Sequence, residues 1–188
     1  MKAKLALKKI VVIGPESTGK SALCGYLADY YNTLWCPEFA REYLLENGTA
    51  YTIDDLITIA KGQLDEVQKH IEALQSQMDQ TGIVKPLIID TDMYVMKVWA
   101  EYVFGTCPTF ILDEINKQDF DLYLLCKPDI PWVKDELREY PHEKPRQELF
   151  QIYKDILINQ QTPWVEISGG FEERNQKAAA AIDTLLAN

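Results

Sequence analysis

The feature that most constrains this chain is the octapeptide Gly14–Ser21, which reads Gly-Pro-Glu-Ser-Thr-Gly-Lys-Ser and fits the phosphate-binding pattern G-x-x-x-x-G-K-[ST]. An apolar, β-branched run over 10–13 precedes it, and a helical pattern with Leu23 and Leu27 on one face follows it. A strand, a loop and a helix in this order are the context that the motif requires. We therefore predict a P-loop, and a chance glycine-rich turn is the weaker interpretation.

Each part of the predicted loop has its own chemical task. Glycines at two positions permit positive φ angles and a close approach of the backbone to a phosphate. Successive backbone N–H groups and the positive end of the next helix then attract the anion. Lys20 is expected to reach the β- and γ-phosphates of ATP, and the Ser21 hydroxyl to ligate Mg²⁺. The predicted ATP-binding residues are Gly14, Glu16, Ser17, Thr18, Gly19, Lys20, Ser21 and Ala22.

Size and charge exclude several classes of protein. At 188 residues the chain suits a single domain over 1–188, with a core from about residue 8. A net charge of -10 without a basic stripe argues against a nucleic-acid-binding surface. No apolar run has the length of a membrane span, and the lysine-rich start does not suit a signal peptide, so we expect a cytoplasmic protein without a membrane partner. The sequence leaves the oligomeric state open.

Short apolar strands alternate with helical patterns along the chain, which predicts parallel strands in right-handed βαβ units. The expected fold is an α/β P-loop NTPase, with a five-stranded parallel sheet covered by helices on both faces. Ligands of such sheets bind at the carboxyl ends of the strands. The strands are predicted at 10–13, 34–36, 86–92, 121–126 and 164–168, and the helices after residue 20, over 38–45, 52–74, 95–102, 110–115 and 149–157, and after Gly169-Gly170.

Two aspartates close the third predicted strand. Asp90 is expected to hold Mg²⁺ together with Ser21, as the Walker-B carboxylate does in P-loop enzymes. Asp92 lies two residues further on, so it would face the same way if the strand geometry continued. Capping of a turn at the strand end is the alternative for both residues.

The proton acceptor has two candidates, Asp92 and Glu38, and Asp92 is slightly preferred. Glu38 follows the second predicted strand, where a carboxylate is able to take a proton from an attacking hydroxyl. A negative charge that only favours a helix N-terminus is its alternative. Arg41, one helical turn beyond, is expected to contact the substrate or Glu38, and an ordinary surface salt bridge is equally compatible with its position.

A polar segment punctuated by prolines, over about 127–147, is predicted to form a lid between the fourth strand and the next helix. Its Arg138 and Arg146 are the expected catalytic arginines, which reach the transferring phosphoryl group once water is excluded. Two solvated loop arginines are the alternative. Five aromatic residues suit either the enclosure of a flat ring or an ordinary core: Phe39, Tyr43, Tyr94, Trp99 and Trp132.

Four segments, in this order, resemble the ribosylnicotinamide kinase domain of NadR-type proteins. They are the P-loop octapeptide, Pro37–Tyr43, Asp90–Asp92 and Asp121–Val133. Many families share the P-loop, whereas the second and fourth segments are more particular. The resemblance implies a Mg²⁺-dependent kinase that transfers the γ-phosphoryl group of ATP to the ribose 5′-hydroxyl of nicotinamide riboside. We expect this nucleoside to contact Glu38, Arg41, Tyr43, Asp92 and Trp99.

NadR-type proteins also carry a nucleotidyltransferase domain with an H-x-G-H motif, and some carry a DNA-binding helix-turn-helix. This sequence has two isolated histidines, His70 and His142, so neither adenylyltransferase nor repressor activity is expected from it. Two alternatives remain open. One is a kinase for another nucleoside or nucleotide, and the other is a regulatory ATPase that acts on a protein partner.

Overall fold

The computed structural model describes residues 6–134, 137 and 142–187, and five of its segments form one parallel sheet. The strands are β1 (Lys8–Ile13), β2 (Trp35–Cys36), β3 (Pro86–Asp90), β4 (Leu122–Cys126) and β5 (Trp164–Ile167). Their order in space is β2-β3-β1-β4-β5, and every neighbouring pair is parallel. The predicted five-stranded parallel sheet is confirmed.

Helices cover both faces of the sheet, so the central strand β1 is buried on both of its sides. Val11 and Ile13 face one apolar cluster, whereas Ile10 and Val12 face another, as the two-residue repeat of a strand requires. α3, α4 and α6 pack on the first face, and α1 and α7 on the second. The helices are α1 (Lys20–Tyr30), α2 (Phe39–Asn47), α3 (Ile53–Thr81), α4 (Met93–Phe104), α5 (Thr109–Ile115), α6 (Glu143–Ile158) and α7 (Phe171–Leu186).

The long helix α3 shows how local signals fix its ends. Thr52 caps its first turn, because its side chain accepts the N–H of Asp55 while the Asp55 carboxylate accepts the N–H of Thr52. The helix continues beyond the predicted residue 74, since the buried Met78 extends the apolar stripe. Gly82, with φ 72°, then ends it.

Two boundaries differ from the sequence-based prediction and change the site. β3 stops at Asp90, not Asp92, because Thr91 has a φ of 71° and turns the chain out of the strand. α6 begins at Glu143, inside the segment predicted as a lid. Pro145 is tolerated there because the N–H groups of a first helical turn have no intrahelical partner.

A third apolar cluster lies between α2, α3, α4 and α5. It is built from residues such as Leu44, Ile59, Met96 and Ile111, all of them buried. This cluster supports α2 and the start of α4 against one another, at the side of the sheet on which β2 and β3 end. Among the helices of the described ranges, none is both long and apolar enough to cross a membrane.

Candidate active site

The P-loop joins β1 to α1 and needs glycine at both of its fixed positions. Gly14 has a φ of 141°, and a Cβ atom there would lie 2.5 Å from the carbonyl oxygen of Cys126. Gly19 has a φ of 77° and closes the loop at the start of α1. The backbone therefore adopts the conformations that expose its N–H groups to an anion.

Lys20 and Ser21 stand at the first turn of α1. The Lys20 ammonium donates hydrogen bonds to the carbonyl oxygens of Gly14 (3.1 Å) and Pro15 (3.0 Å), so its charge lies across the loop. The Ser21 hydroxyl donates to Asp90 Oδ2 at 2.7 Å. The two residues predicted to hold the metal are thus brought into direct contact.

Asp90 is fully buried at the end of β3, and its second oxygen, Oδ1, has no hydrogen-bond partner among the described residues. Burial, and then the negative charge of Glu38, raise the pKa of Asp90 to about 7, against the opposing effects of Lys20 and Ser21. An unpartnered carboxylate oxygen beside a hydroxyl is a suitable donor set for Mg²⁺, which binds one or two protein oxygens and completes its shell with water and phosphate. Within the described ranges, no group of three or more His, Cys, Asp and Glu side chains is placed to hold a metal ion by itself.

One cavity of about 610 Å³ extends from the P-loop to a pocket between α2 and α4. All the residues predicted to bind ATP line it, and Glu38, Arg41 and Trp99 line its other end. Further wall residues at that end, which the sequence analysis did not single out, are Leu44, Thr49, Tyr51, Tyr102 and Val103.

Two aromatic rings shape the pocket end of the cavity. The Trp99 indole N–H donates to the Tyr51 hydroxyl at 2.9 Å, and the ring centroids lie 4.9 Å apart in an edge-to-face arrangement. This contact holds the indole in place. Tyr51 lies between α2 and α3, where no sequence periodicity points to a site.

Asp92 lies away from the cavity, contrary to our expectation. Its Oδ1 accepts the N–H groups of Tyr94 (3.0 Å) and Val95 (3.3 Å), which caps α4, and its Oδ2 accepts the Tyr123 hydroxyl at 2.7 Å. Burial raises the pKa of Asp92 to about 6, although these hydrogen bonds act in the opposite direction. Because Thr91 ends the strand, the two aspartates do not share a face, and the capping alternative describes Asp92.

Tyr43 and Arg146 also lie elsewhere than predicted. The Tyr43 hydroxyl donates to Asp55, and its ring does not line the cavity. Arg146 is 4% exposed in the first turn of α6 and donates to the carbonyl oxygens of Ser17 (3.1 Å) and Ile130 (3.3 Å). It is therefore neither a solvated loop residue nor a lining residue of the cavity. Arg138, the other predicted lid arginine, lies outside the described residues.

The start of the predicted lid segment rests on the P-loop. The Trp132 indole N–H donates to Glu16 Oε1 at 3.2 Å, and the Val133 N–H donates to Ser17 Oγ at 3.0 Å. Ile130 and Val133 also line the cavity. The variable positions of the P-loop motif thus hold the chain that follows β4.

Arg174 is a site residue that the sequence analysis missed. It is 2% exposed on α7, pairs with Asp129, and donates to the carbonyl oxygens of Thr18 (3.0 Å), Lys127 (2.8 Å) and Gly169 (2.7 Å). Its guanidinium thereby ties the P-loop to the ends of β4 and β5. A signal was present, because Arg174 falls four residues before the buried Ala178 and so lies on the buried face of the helix.

A family model described as an AAA domain matches residues 9–174, which is most of this chain. The chain is also similar to the trifunctional NAD biosynthesis/regulator protein NadR of Escherichia coli (strain K12), with 25% identity over 162 residues. That alignment takes in 86% of this chain and 38% of the relative. The chain therefore spans well under half the length of the curated relative it matches.

Solved structures share the fold. A NadR protein in complex with NR superposes with a TM-score of 0.77 at 23% identity, over 96% of this chain and 50% of its own. A NadR protein with NAD and AMP-PNP has a TM-score of 0.71 at 24% identity and the same coverage. Thymidylate kinase from Ehrlichia chaffeensis has a TM-score of 0.64 at 14% identity, over 95% of this chain and 99% of its own. The fold is that of the P-loop kinases.

Proposed function

This chain belongs to the AAA domain family, and we propose that it is a kinase that transfers the γ-phosphoryl group of ATP to the ribose 5′-hydroxyl of nicotinamide riboside. The product would be nicotinamide mononucleotide. The observation that carries the proposal is one continuous cavity, which has a phosphate-binding loop at one end and an aromatic pocket at the other. A kinase needs both reactants in one enclosed space, with the acceptor oxygen in line with the γ-phosphorus.

At the nucleotide end, backbone N–H groups of the P-loop bind the phosphates, and the Lys20 ammonium neutralises charge that builds up on the transferring group. Ser21 and Asp90 would hold Mg²⁺, which would supply positive charge to stabilise the phosphate groups. The similarity to a NadR protein solved with AMP-PNP supports ATP as the nucleotide.

We assign the proton acceptor to Glu38. Its carboxylate lines the same cavity as the P-loop, and its negative charge contributes to the raised pKa of Asp90. A base in this position accepts the proton of the 5′-hydroxyl as the oxygen attacks phosphorus. Asp92 is unsuited to this task because its two oxygens are engaged with α4 and Tyr123.

At the acceptor end, the Trp99 and Tyr51 rings offer apolar faces to a flat base. The nicotinamide ring of the riboside is cationic, and cations are attracted to aromatic faces and to nearby carboxylates such as Glu38. The similarity to a NadR protein solved with NR supports the same acceptor here. Arg41, which also lines the cavity, is assigned to substrate binding.

A kinase for a different nucleoside or nucleotide is the second candidate. The apolar part of the wall, including Leu44 and Val103, suits an uncharged base as well as a charged one. A regulatory ATPase has less support, because such a protein has no need of an aromatic pocket that opens onto its γ-phosphate site.

The test is a panel of nucleosides incubated with the protein and Mg-ATP, with ADP release and product mass as readouts. We expect phosphorylation of nicotinamide riboside and no adenylation of nicotinamide mononucleotide. ADP release with thymidine or cytidine, but not with nicotinamide riboside, would overturn the acceptor and retain the kinase. Tight ATP binding without ADP release for any nucleoside would favour the regulatory ATPase.

A further inference from the structure

The N-terminus of α2 is capped in an unusual way. Glu38 occupies the N-cap position, yet within the described ranges its side chain makes no capping hydrogen bond to the first turn. The first N–H groups of a helix need partners from outside the helix. Here the Phe39 N–H donates to Gln63 Oε1 of α3 at 2.8 Å. Gln63 thus accepts one of the first N–H groups of α2 from outside the helix, and the Glu38 carboxylate is left to face the cavity.

The same glutamine also contacts the ends of two strands. Its Nε2 lies 3.4 Å from the carbonyl oxygen of Pro37, after β2, and 3.5 Å from that of Asp90, at the end of β3. The orientation of the amide is determined, because the Phe39 N–H is only a donor and the two carbonyl oxygens are only acceptors. Gln63 is 3% exposed and does not line the cavity, so one buried amide bridges β2, β3 and α2 behind the site.

Gly62 adds a steric element to this arrangement. A Cβ atom at this position would lie 2.2 Å from Cε1 of Phe39, so the α3 backbone packs directly against that ring. Gly62 therefore contacts the ring of Phe39, and Gln63 accepts the N–H of the same residue, which directly follows Glu38. The position of Glu38 is set from α3 and not by α2 alone.

We propose that Gln63 is a positioning residue for phosphoryl transfer, which fixes the segment Pro37–Phe39 so that the Glu38 carboxylate faces the cavity and the acceptor hydroxyl. The inference rests on the proposed role of Glu38 as the proton acceptor. Gln63 acts through Glu38, since it has no surface on the cavity, and its loss lowers the rate of the chemical step without weakening ATP binding.

The first experiment replaces Gln63 by Met, which keeps the length of the side chain and removes its hydrogen bonds. We expect kcat with the nucleoside acceptor to fall by about 10- to 100-fold, because a displacement of about 1 Å at a reacting group has effects of that order. The KM for ATP should stay within about twofold, since the P-loop does not contact Gln63. Gln68→Met is the matched control, because Gln68 lies exposed on the same helix and, among the described residues, its side chain bonds only to Glu72.

A double-mutant cycle separates positioning from general damage. In a Glu38→Gln background, itself reduced in kcat, adding Gln63→Met should change kcat by no more than about twofold if Gln63 acts through Glu38. Losses that multiply in the double variant would overturn the proposal. Gly62→Ala provides an independent variant that keeps the amide and displaces Phe39, and it should show the same lowered kcat, unchanged KM for ATP and lack of additivity with Glu38→Gln.

The outcomes also separate the inference from the function on which it rests. If Glu38→Gln retains the kcat of the parent protein, the assignment of the base fails and the inference fails with it. If Glu38→Gln is impaired while Gln63→Met and Gly62→Ala both keep the parent kcat, only the inference fails. Thermal unfolding of each variant checks that the lowered rates belong to folded protein.

Discussion

The two ends of the cavity are built in different ways. The nucleotide end comes from the continuous run 14–22, whose backbone is fixed from behind by Arg146 and Arg174. The acceptor end takes single residues from α2, from the loop before α3 and from α4, and it depends on how those elements pack. The lining residues of the first end therefore come from one short run, whereas those of the second are brought together by tertiary contacts. Substitutions at the first should affect every acceptor alike, and substitutions at the second should change which acceptor is used.

Lys20→Ala should have the largest effect and should test the nucleotide end alone. Removing the charge at the β- and γ-phosphates should lower kcat by about 10³-fold or more with every acceptor, because the site works mainly by positioning and charge stabilisation. Lys69→Ala is a suitable control, because Lys69 is an exposed lysine on α3. ADP release measures the rate, and circular dichroism checks the fold. Near-normal transfer by Lys20→Ala would show that the P-loop assignment is wrong.

Variants of Glu38 and Asp90 should differ in how their kcat responds to added metal. Glu38→Gln should lose about 10²- to 10⁴-fold in kcat, as expected for a general base, and neither raised Mg²⁺ nor Mn²⁺ should restore it. Asp90→Asn should be partly restored by the same additions, because its role is to hold the ion. Steady-state kinetics over a metal titration measures both. Equal rescue of the two variants would contradict this division of roles.

Asp92→Ala sharpens the same comparison, because the structure assigns Asp92 to the cap of α4. Removal of this cap should lower stability by about 1 kcal/mol, as for other N-cap residues replaced by alanine, while kcat at saturating Mg²⁺ changes little. Urea unfolding and ADP release give the two quantities. If the variant had unchanged stability and a kcat as low as that of Glu38→Gln, Asp92 would again be a candidate for the proton acceptor.

Arg174→Met should weaken ATP binding more than acceptor binding, since its guanidinium holds the Thr18 carbonyl oxygen of the P-loop. We expect the KM for ATP to rise by about tenfold and stability to fall by about 2–4 kcal/mol, because Asp129 and three carbonyl oxygens would lose their hydrogen-bond donor. Arg174→Lys keeps the charge but not the geometry, so its KM for ATP and its stability should lie between those of the parent protein and of Arg174→Met. An equal rise in both KM values would show that the anchor does not act on the nucleotide end in particular.

The smallest expected effect is a pH dependence of the metal-free protein. Burial raises the pKa of Asp90 to about 7, so the folded protein keeps this proton at pH values where the unfolded chain has released it. Stability should therefore fall as the pH rises from about 4 to about 7. In EDTA, Asp90→Asn should remove part of this slope and unfold a few degrees higher than the parent protein at pH 8. If the melting temperatures of the two proteins changed with pH in the same way, the raised pKa of Asp90 would be refuted.

Sequence reasoning performs well where the signal is local. The P-loop, the alternation of strands and helices, and the contact between Ser21 and Asp90 all follow from short motifs and from the rule that parallel strands end at one edge. It fails for Asp92, because nothing in the sequence announces that Thr91, a β-branched residue, adopts a φ of 71°. That one angle moves the carboxylate from the cavity to a helix cap.

The acceptor end was predicted only in part, for a related reason. Trp99 and Arg41 were expected there on chemical grounds, whereas Tyr51 was missed because it lies in a connection without periodicity. Gln63 was missed since its neighbours in space are the ends of two strands, both distant in sequence. Tertiary contacts of this kind carry no short-range pattern, which is why the acceptor end is the harder one to infer.

The link between Thr18 and Arg174 joins residues 156 positions apart in the chain, and this separation sets an order of events during synthesis. A ribosome that adds about 5–20 residues per second makes the P-loop roughly 8–30 s before it makes the arginine that holds it. Until α7 has emerged and docked, the loop lacks one of its anchors. The P-loop is therefore made well before it is fully supported, and we expect a nascent chain to bind nucleotide at full strength only after α7 has docked.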